Sequence, residues 1–264
     1  MKKALALTLF LILICTVSQA QILNVEKQRL DSLIKPFNLN FESKFGAFNR
    51  SATEDEKAEF INFSNSLNAV YSPHKKHAYV MLGKFQFTEN NGKAILNNAY
   101  LHVRATFNFN KKWSPEAFAQ IQDDQFRGLR NRKLAGGGYR WMPINSKKFR
   151  FVLAAGPMYE SEKWRSVETG EEKLVELWKL NSYLLLRWDI AENVNFNTIF
   201  YYQAGYDYSA NLDRQRVSNS TNLNFKISSH LSFTVTYQMA YENEPIFPIT
   251  KFIYSIENGI QLNF

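Results

Sequence analysis

The chain has 264 residues, 45% of them hydrophobic, with only 11 Gly and 7 Pro, which excludes a collagen-like or Gly/Pro-rich disordered protein. A mean hydropathy of −0.35 is too polar for a bundle of membrane helices. The net charge of +8 comes from basic residues scattered along the chain rather than clustered, which argues against a nucleic-acid partner; the unusual feature is an aromatic share of 15%.

The chain begins with Lys2 and Lys3, then an almost purely apolar run over 4–17, then Ser18-Gln19-Ala20 with small residues where a signal peptidase reads. Residues 1–20 therefore predict a signal peptide and export. Cys15, the single cysteine, lies inside it, so the exported chain would carry no disulfide. Ile14 stands where lipid attachment to Cys15 would need a small residue. Over 21–36, Ile22, Leu23, Leu30, Leu33 and Ile34 fall at helical spacing before Pro36 and predict a short periplasmic helix or linker.

From Phe37 the apolar period becomes two and stays two to the end of the chain. Leu231, Phe233, Val235, Tyr237 and Met239 alternate with Ser232, Thr234, Thr236, Gln238 and Ala240. Cutting at turn signals predicts twelve strands: 37–49, 59–71, 78–88, 95–109, 114–125, 132–141, 148–160, 175–189, 194–208, 215–228, 231–242 and 250–264. Alternating segments of about ten residues separated by turns are the signature of a transmembrane β-barrel. The expected fold is thus all-β, a twelve-stranded antiparallel barrel of the outer membrane over 37–264.

Three details favour a membrane. Connections at 72–77, 110–113, 143–147, 190–193 and 229–230 are tight, and those at 50–58, 89–94, 126–131, 161–174, 209–214 and 243–249 are mostly longer and more polar, as periplasmic turns and external loops would be. One face carries Phe41, Phe45, Met81, Leu101, Phe107, Phe109, Leu153, Leu180 and Leu184 with no ionised residue among them. Trp113, Trp141 and Trp188 fall at one set of strand ends and Trp164 and Trp178 at the other, as two interfacial girdles would place them. The last strand ends on Phe264, the kind of terminal aromatic that the barrel-assembly machinery reads.

The segment 118–129, Phe-Ala-Gln-Ile-Gln-Asp-Asp-Gln-Phe-Arg-Gly-Leu, followed by Arg132-Lys133-Leu134-Ala135-Gly136-Gly137-Gly138, resembles the domain-of-unknown-function 481 family, and so does Gly156-Pro157-Met158-Tyr159-Glu160-Ser161-Glu162-Lys163-Trp164. Its members are described as candidate salt-induced outer-membrane proteins. The resemblance implies an outer-membrane barrel and a link to osmotic or salt stress, and supplies no catalytic residues.

Little in the chain suggests catalysis. His74 and His77 flank Lys75-Lys76, whose charges repel a cation, so neither a metal nor another cofactor is expected. A lipid-modifying enzyme, the alternative to a channel or structural envelope protein, needs a His paired with a Ser, and no such pair stands out. His102 reads as a polar lumen residue. Gly136-Gly137-Gly138 lacks the Lys and Ser/Thr of a phosphate loop and suggests room for a large inward side chain; Pro157 suggests a kink near the outer rim.

Paired lysines at 75–76, 111–112 and 147–148 suit anionic headgroups, and Arg127, Arg130, Arg132 and Lys133 in an external linker suit lipopolysaccharide phosphates. Inward positions are expected to carry Lys44, Lys84, Arg104, Arg140, Arg150, Lys179, Arg187 and Lys226 against Glu42, Glu116, Asp124, Glu160, Asp189, Asp207, Glu242 and Glu257. Such a balanced set predicts cross-lumen ion pairs and a narrow, weakly selective path. No pattern specifies a solute or an oligomeric state.

Overall fold

The structure, a computed structural model, describes residues 36–49, 58–73 and 76–262. The segment read as a signal peptide, the 21–35 part of the expected helix or linker, His74 and Phe264 lie outside them. The described chain forms one antiparallel sheet of twelve strands in sequence order, without a crossover. The strands are β1 (Phe37–Asn49), β2 (Glu59–Tyr71), β3 (Ala78–Asn90), β4 (Lys93–Thr106), β5 (Trp113–Asp124) and β6 (Leu129–Asn145). They continue as β7 (Phe149–Arg165), β8 (Glu172–Ala191), β9 (Val194–Asp207), β10 (Leu212–Lys226), β11 (Leu231–Glu242) and β12 (Phe252–Leu262).

No second layer covers either face among the described residues, yet one face of β3 to β10 is largely buried. The sheet therefore curls so that its inner side chains meet across strands that are not neighbours. Tyr183 on β8 reaches Glu116 on β5 at 2.9 Å, and Arg216 on β10 reaches Glu162 on β7 at 3.1 Å. β1 and β12 share no ladder among the described residues, and β1 is exposed on nearly all its length.

Strand number and most boundaries match the alternation, but β6, β7 and β8 are longer than expected, at 17, 17 and 20 residues. Their extensions absorb much of the predicted linkers 126–131 and 161–174. What remains at that end is the turn Asn91-Gly92, both residues at positive φ, and the segments 125–128, 166–171, 208–211 and 243–251. At the other end the connections are 72–77, 107–112, 146–148, 192–193 and 227–230. The expected alternation of short and long connections is thus lost among the described residues, apart from the nine-residue segment 243–251. Below, the end bearing 243–251 is called the loop end and the other the turn end.

Other sequence expectations also shift. Pro143, expected in a turn, lies within β6, where the register shifts between Trp141 and Ile144 and no ladder donor is needed. Pro157 is mid-strand in β7, not near a rim. It lies beside a close approach of β6 and β7: a Cβ on Gly138 would stand 2.3 Å from the Ala155 carbonyl, and one on Gly156 2.0 Å from that of Gly137. Gly136 leaves room for Phe118, whose ring tip would be 2.7 Å from a Cβ there, so the expected large inward side chain is present. Phe109, assigned to the outer face, is buried in the β4–β5 connection, where its N–H donates to the Lys76 carbonyl at 3.1 Å.

Candidate functional site

The inner face is built in layers, best defined on β5 to β10. At the turn end, Met142, Val152, Ala154, Tyr183, Leu185 and Ile199 form a buried apolar layer. The sequence reading expected a polar interior, and this layer departs from it. Its signal was nonetheless present: Phe151-Val152-Leu153-Ala154-Ala155 and Leu184-Leu185-Leu186 are apolar on both faces, as in strands buried on both sides.

Above the apolar layer lies a network of six charges. Glu160 pairs with Arg132 and with Lys179, and lies 3.5 Å from Arg216. Glu162 is 3.0 Å from Arg132 and 3.1 Å from Arg216, and accepts from Trp164 Nε1 at 3.1 Å. Glu242 joins through Arg216 at 2.9 Å. Three cations thus face three carboxylates, all nearly removed from solvent, and each carboxylate is satisfied from at least one side. Burial of this kind is tolerable only because partners replace the lost water.

A cap closes the loop end. Leu129, Trp164, Val175 and Leu177 pack with Ile246 and Phe247 of the segment 243–251, and Lys173 Nζ lies 4.8 Å from the Phe247 ring centre. Arg127 Nη2 donates to the Thr250 carbonyl at 3.3 Å, and Arg214 Nη1 to that of Glu244 at 2.5 Å. Burial lowers the Arg127 guanidinium from its ordinary value, and the Asp124 carboxylate beside it acts the other way.

Between network and β4 lies a cavity of about 150 Å³, lined by residues including Tyr100, His102, Arg104, Tyr201 and Gln203. The His102 ring stacks near those of Tyr100 and Phe118, at 6.3 and 6.1 Å, and its Nδ1 is 3.1 Å from Gln120 Oε1. Arg104 is held between the Phe118 and Tyr183 rings at 5.2 and 5.3 Å, with Glu116 3.7 Å away.

Of the expected inward charges, Arg104, Glu116, Lys179, Glu160 and Glu242 are buried in these assemblies. Arg140 is buried at the turn end, where it donates to the Phe109 carbonyl at 3.3 Å. Asp207 pairs with Arg214 at 2.8 Å at the loop end, and Asp124 caps a 3-10 turn by accepting from Arg127 N–H at 3.3 Å. Lys84 interacts electrostatically with Glu257 on β12. Arg150 bonds Asn145 at 2.9 Å in the neighbouring strand, and Arg187 is 3.8 Å from Asp189 two residues on, both near the turn end and partly exposed. Glu42 and Lys44 pair with each other, at 2.8 Å, on exposed β1, and Lys226 is exposed.

Arg132 had been assigned to an external linker. It is instead the fourth residue of β6 and points into the network, because β6 begins at Leu129 and the linker is correspondingly shorter. Glu162 and Arg214 escape the turn signals because β7 runs on past 160 and β10 begins before 215. Arg216 shares the even parity of Lys226 along β10, and that alternation is the signal that places it inward. Trp113 and Trp178 are outward and well exposed, at 58% and 67%, toward opposite ends of the sheet, with Trp141 and Trp188 on the Trp113 side. Trp164 is 2% exposed, so it belongs to the cap and not to an outer girdle. Among the described residues no cluster of three or more His, Cys, Asp or Glu is arranged for a metal.

No curated protein matches this chain. Among solved structures it is similar to one described as the NanC porin in a rhombohedral crystal form, with 11% identity and a TM-score of 0.45, over 84% of this chain and 99% of that one. The family model described as "Protein of unknown function, DUF481" matches residues 44–247. That is well over half of the chain, which belongs to this family.

Proposed function

We propose that the sheet closes as a twelve-stranded barrel in the outer membrane and acts as a narrow, weakly selective channel or a structural component of the envelope. One observation carries this reading. With the register fixed by strand pairing, the outward residues of β2 to β10 are uncharged from the turn end upward, until Glu89, Asp123, Lys133, Lys163, Glu176 and Asp213 appear toward the loop end. Below that level the face exposes Met81, Leu101, Val103, Leu180 and Phe200, bordered by Trp113 and Trp188. In water such a continuous apolar face would far exceed the roughly 300–600 Å² patch a soluble monomer carries. In a bilayer it is the lipid-facing band.

On this reading the loop end faces outward, where Arg130 and Lys133 would meet lipopolysaccharide phosphates while Arg127 is held in the cap, and the turn-end lysines would meet phospholipid headgroups. Phe264 would be the signal handed to the assembly machinery. Deleting it should lower the amount of folded, heat-modifiable protein in the outer membrane; normal insertion would remove that role. A part in salt or osmotic stress belongs to the same reading, and growth of a deletion strain across salts tests it. Planar-bilayer recording tests the channel itself. Small, weakly selective conductance is expected from an interior whose charges are paired, and a large, strongly selective one would overturn it.

A further inference from the structure

The cavity beneath the cap has a charge character that the interior as a whole lacks. Across the six-charge network the signs balance, but the surface presented to the cavity does not. Four arginines are among its lining residues, Arg104, Arg127, Arg132 and Arg216, against two acidic residues, Asp123 and Asp124. Glu116, Glu160, Glu162 and Glu242 are not part of that lining. The cavity thus presents donors and positive charge.

Arg104 is the most poised of the four. It is buried, with its guanidinium carbon close to both the Phe118 and the Tyr183 ring. Its ion pair with Glu116 is long, at 3.7 Å, and the other oxygen of Glu116 accepts from Tyr183 Oη at 2.9 Å. Among the described residues Arg104 Nε has no hydrogen-bond partner. A buried donor left in that state is costly. A guanidinium is a planar fork of donors matched to a carboxylate.

We propose that this cavity is a binding site for a small organic monocarboxylate, received by the Arg104 side chain. The proposal rests on the reading of the inner face as a lumen. A cavity of about 150 Å³ can take a molecule of about six heavy atoms. The ring stack of Tyr100, His102 and Phe118 offers the carbon skeleton an apolar wall, and Gln120 and Gln122 offer polar contacts to a hydroxyl.

Lactate and glycerol test the charge requirement, because both have three carbons and three oxygens and only lactate carries a carboxylate. Titration calorimetry on the purified full chain in detergent should show binding of lactate and none of glycerol at the same concentration. Arg104→Gln should weaken lactate by roughly tenfold or more, the value of a charge-assisted hydrogen bond. Gln122→Glu keeps the size and the acceptor for Gln120 Nε2 but sets a negative charge on the wall, and should weaken lactate too. If Arg104→Gln fails the heat-modifiability check of folding, Gln122→Glu decides. Equal binding of glycerol and lactate, wild-type affinity in the folded variants, or no lactate heat up to the solubility of the salt would each overturn the site. Conductance separates this from the channel reading: lactate binding without a conducting path removes the channel and leaves the site, and a conducting protein that ignores lactate does the reverse.

Discussion

The two buried layers of the inner face solve the same problem with opposite chemistry. At the turn end Met142, Val152, Leu185 and Ile199 fill space with side chains that need no partner. Toward the loop end Arg132, Glu160, Glu162, Lys179, Arg216 and Glu242 fill it with groups that tolerate burial only together. The apolar layer can lose a member and keep the rest, at the cost of a cavity. The ionic layer cannot, because removing one charge strands its partners. The difference teaches that balance, more than count, makes a charged interior possible.

The sharpest way to break the comparison is Glu160→Gln, which keeps shape and leaves Arg132, Lys179 and Arg216 facing a neutral amide. Loss of one member of a buried ion cluster costs about 3–5 kcal/mol, so the denaturant midpoint of the purified protein should fall steeply. Leu185→Ala in the apolar layer should cost about 2–5 kcal/mol, at the lower end if the layer relaxes, and should raise bilayer conductance by thinning the seal. A larger loss for Leu185→Ala than for Glu160→Gln would reverse the ranking of the two layers.

Replacing both ends of one pair separates balance from contact. The double variant Glu160→Leu with Lys179→Leu should cost less than the sum of the two single variants, because it strands fewer charges; a strictly additive cycle would mean the pair is not coupled. The smallest effect belongs to Glu42→Gln. Its pair with Lys44 is exposed, and the expected change is about 0–1 kcal/mol. A large loss there would mean that β1 is covered in the membrane, as closure onto β12 requires.

The fold was legible wherever the two faces of a strand differ, since a period of two needs contrast to be seen. Leu231 to Met239 show it most plainly, and β11 begins and ends where the alternation does. The ends of β6, β7 and β8 were hidden for a physical reason. At about 3.3 Å per residue the 20 residues of β8 extend roughly 66 Å, well beyond an apolar band about 25 Å tall even when tilted. Past the band outward residues become polar, contrast vanishes, and backbone pairing continues unseen. Arg132 and Glu162 lie in that zone, so two of the network's six residues read as loop. The pairing of Glu160 with Lys179 was legible in kind, from the balance of inward charges, but its partners were not, because register is set by hydrogen bonds and bulges such as the one between Leu129 and Asn131.

The balance of the ionic layer has a consequence for how the protein would answer an electric potential. One elementary charge moved through a potential of 100 mV gains or loses about 2.3 kcal/mol, the source of energy for voltage sensors. Three cations bound to three carboxylates carry no net gating charge when they move as a unit. Movement of that layer as a unit would therefore draw no energy from the applied potential.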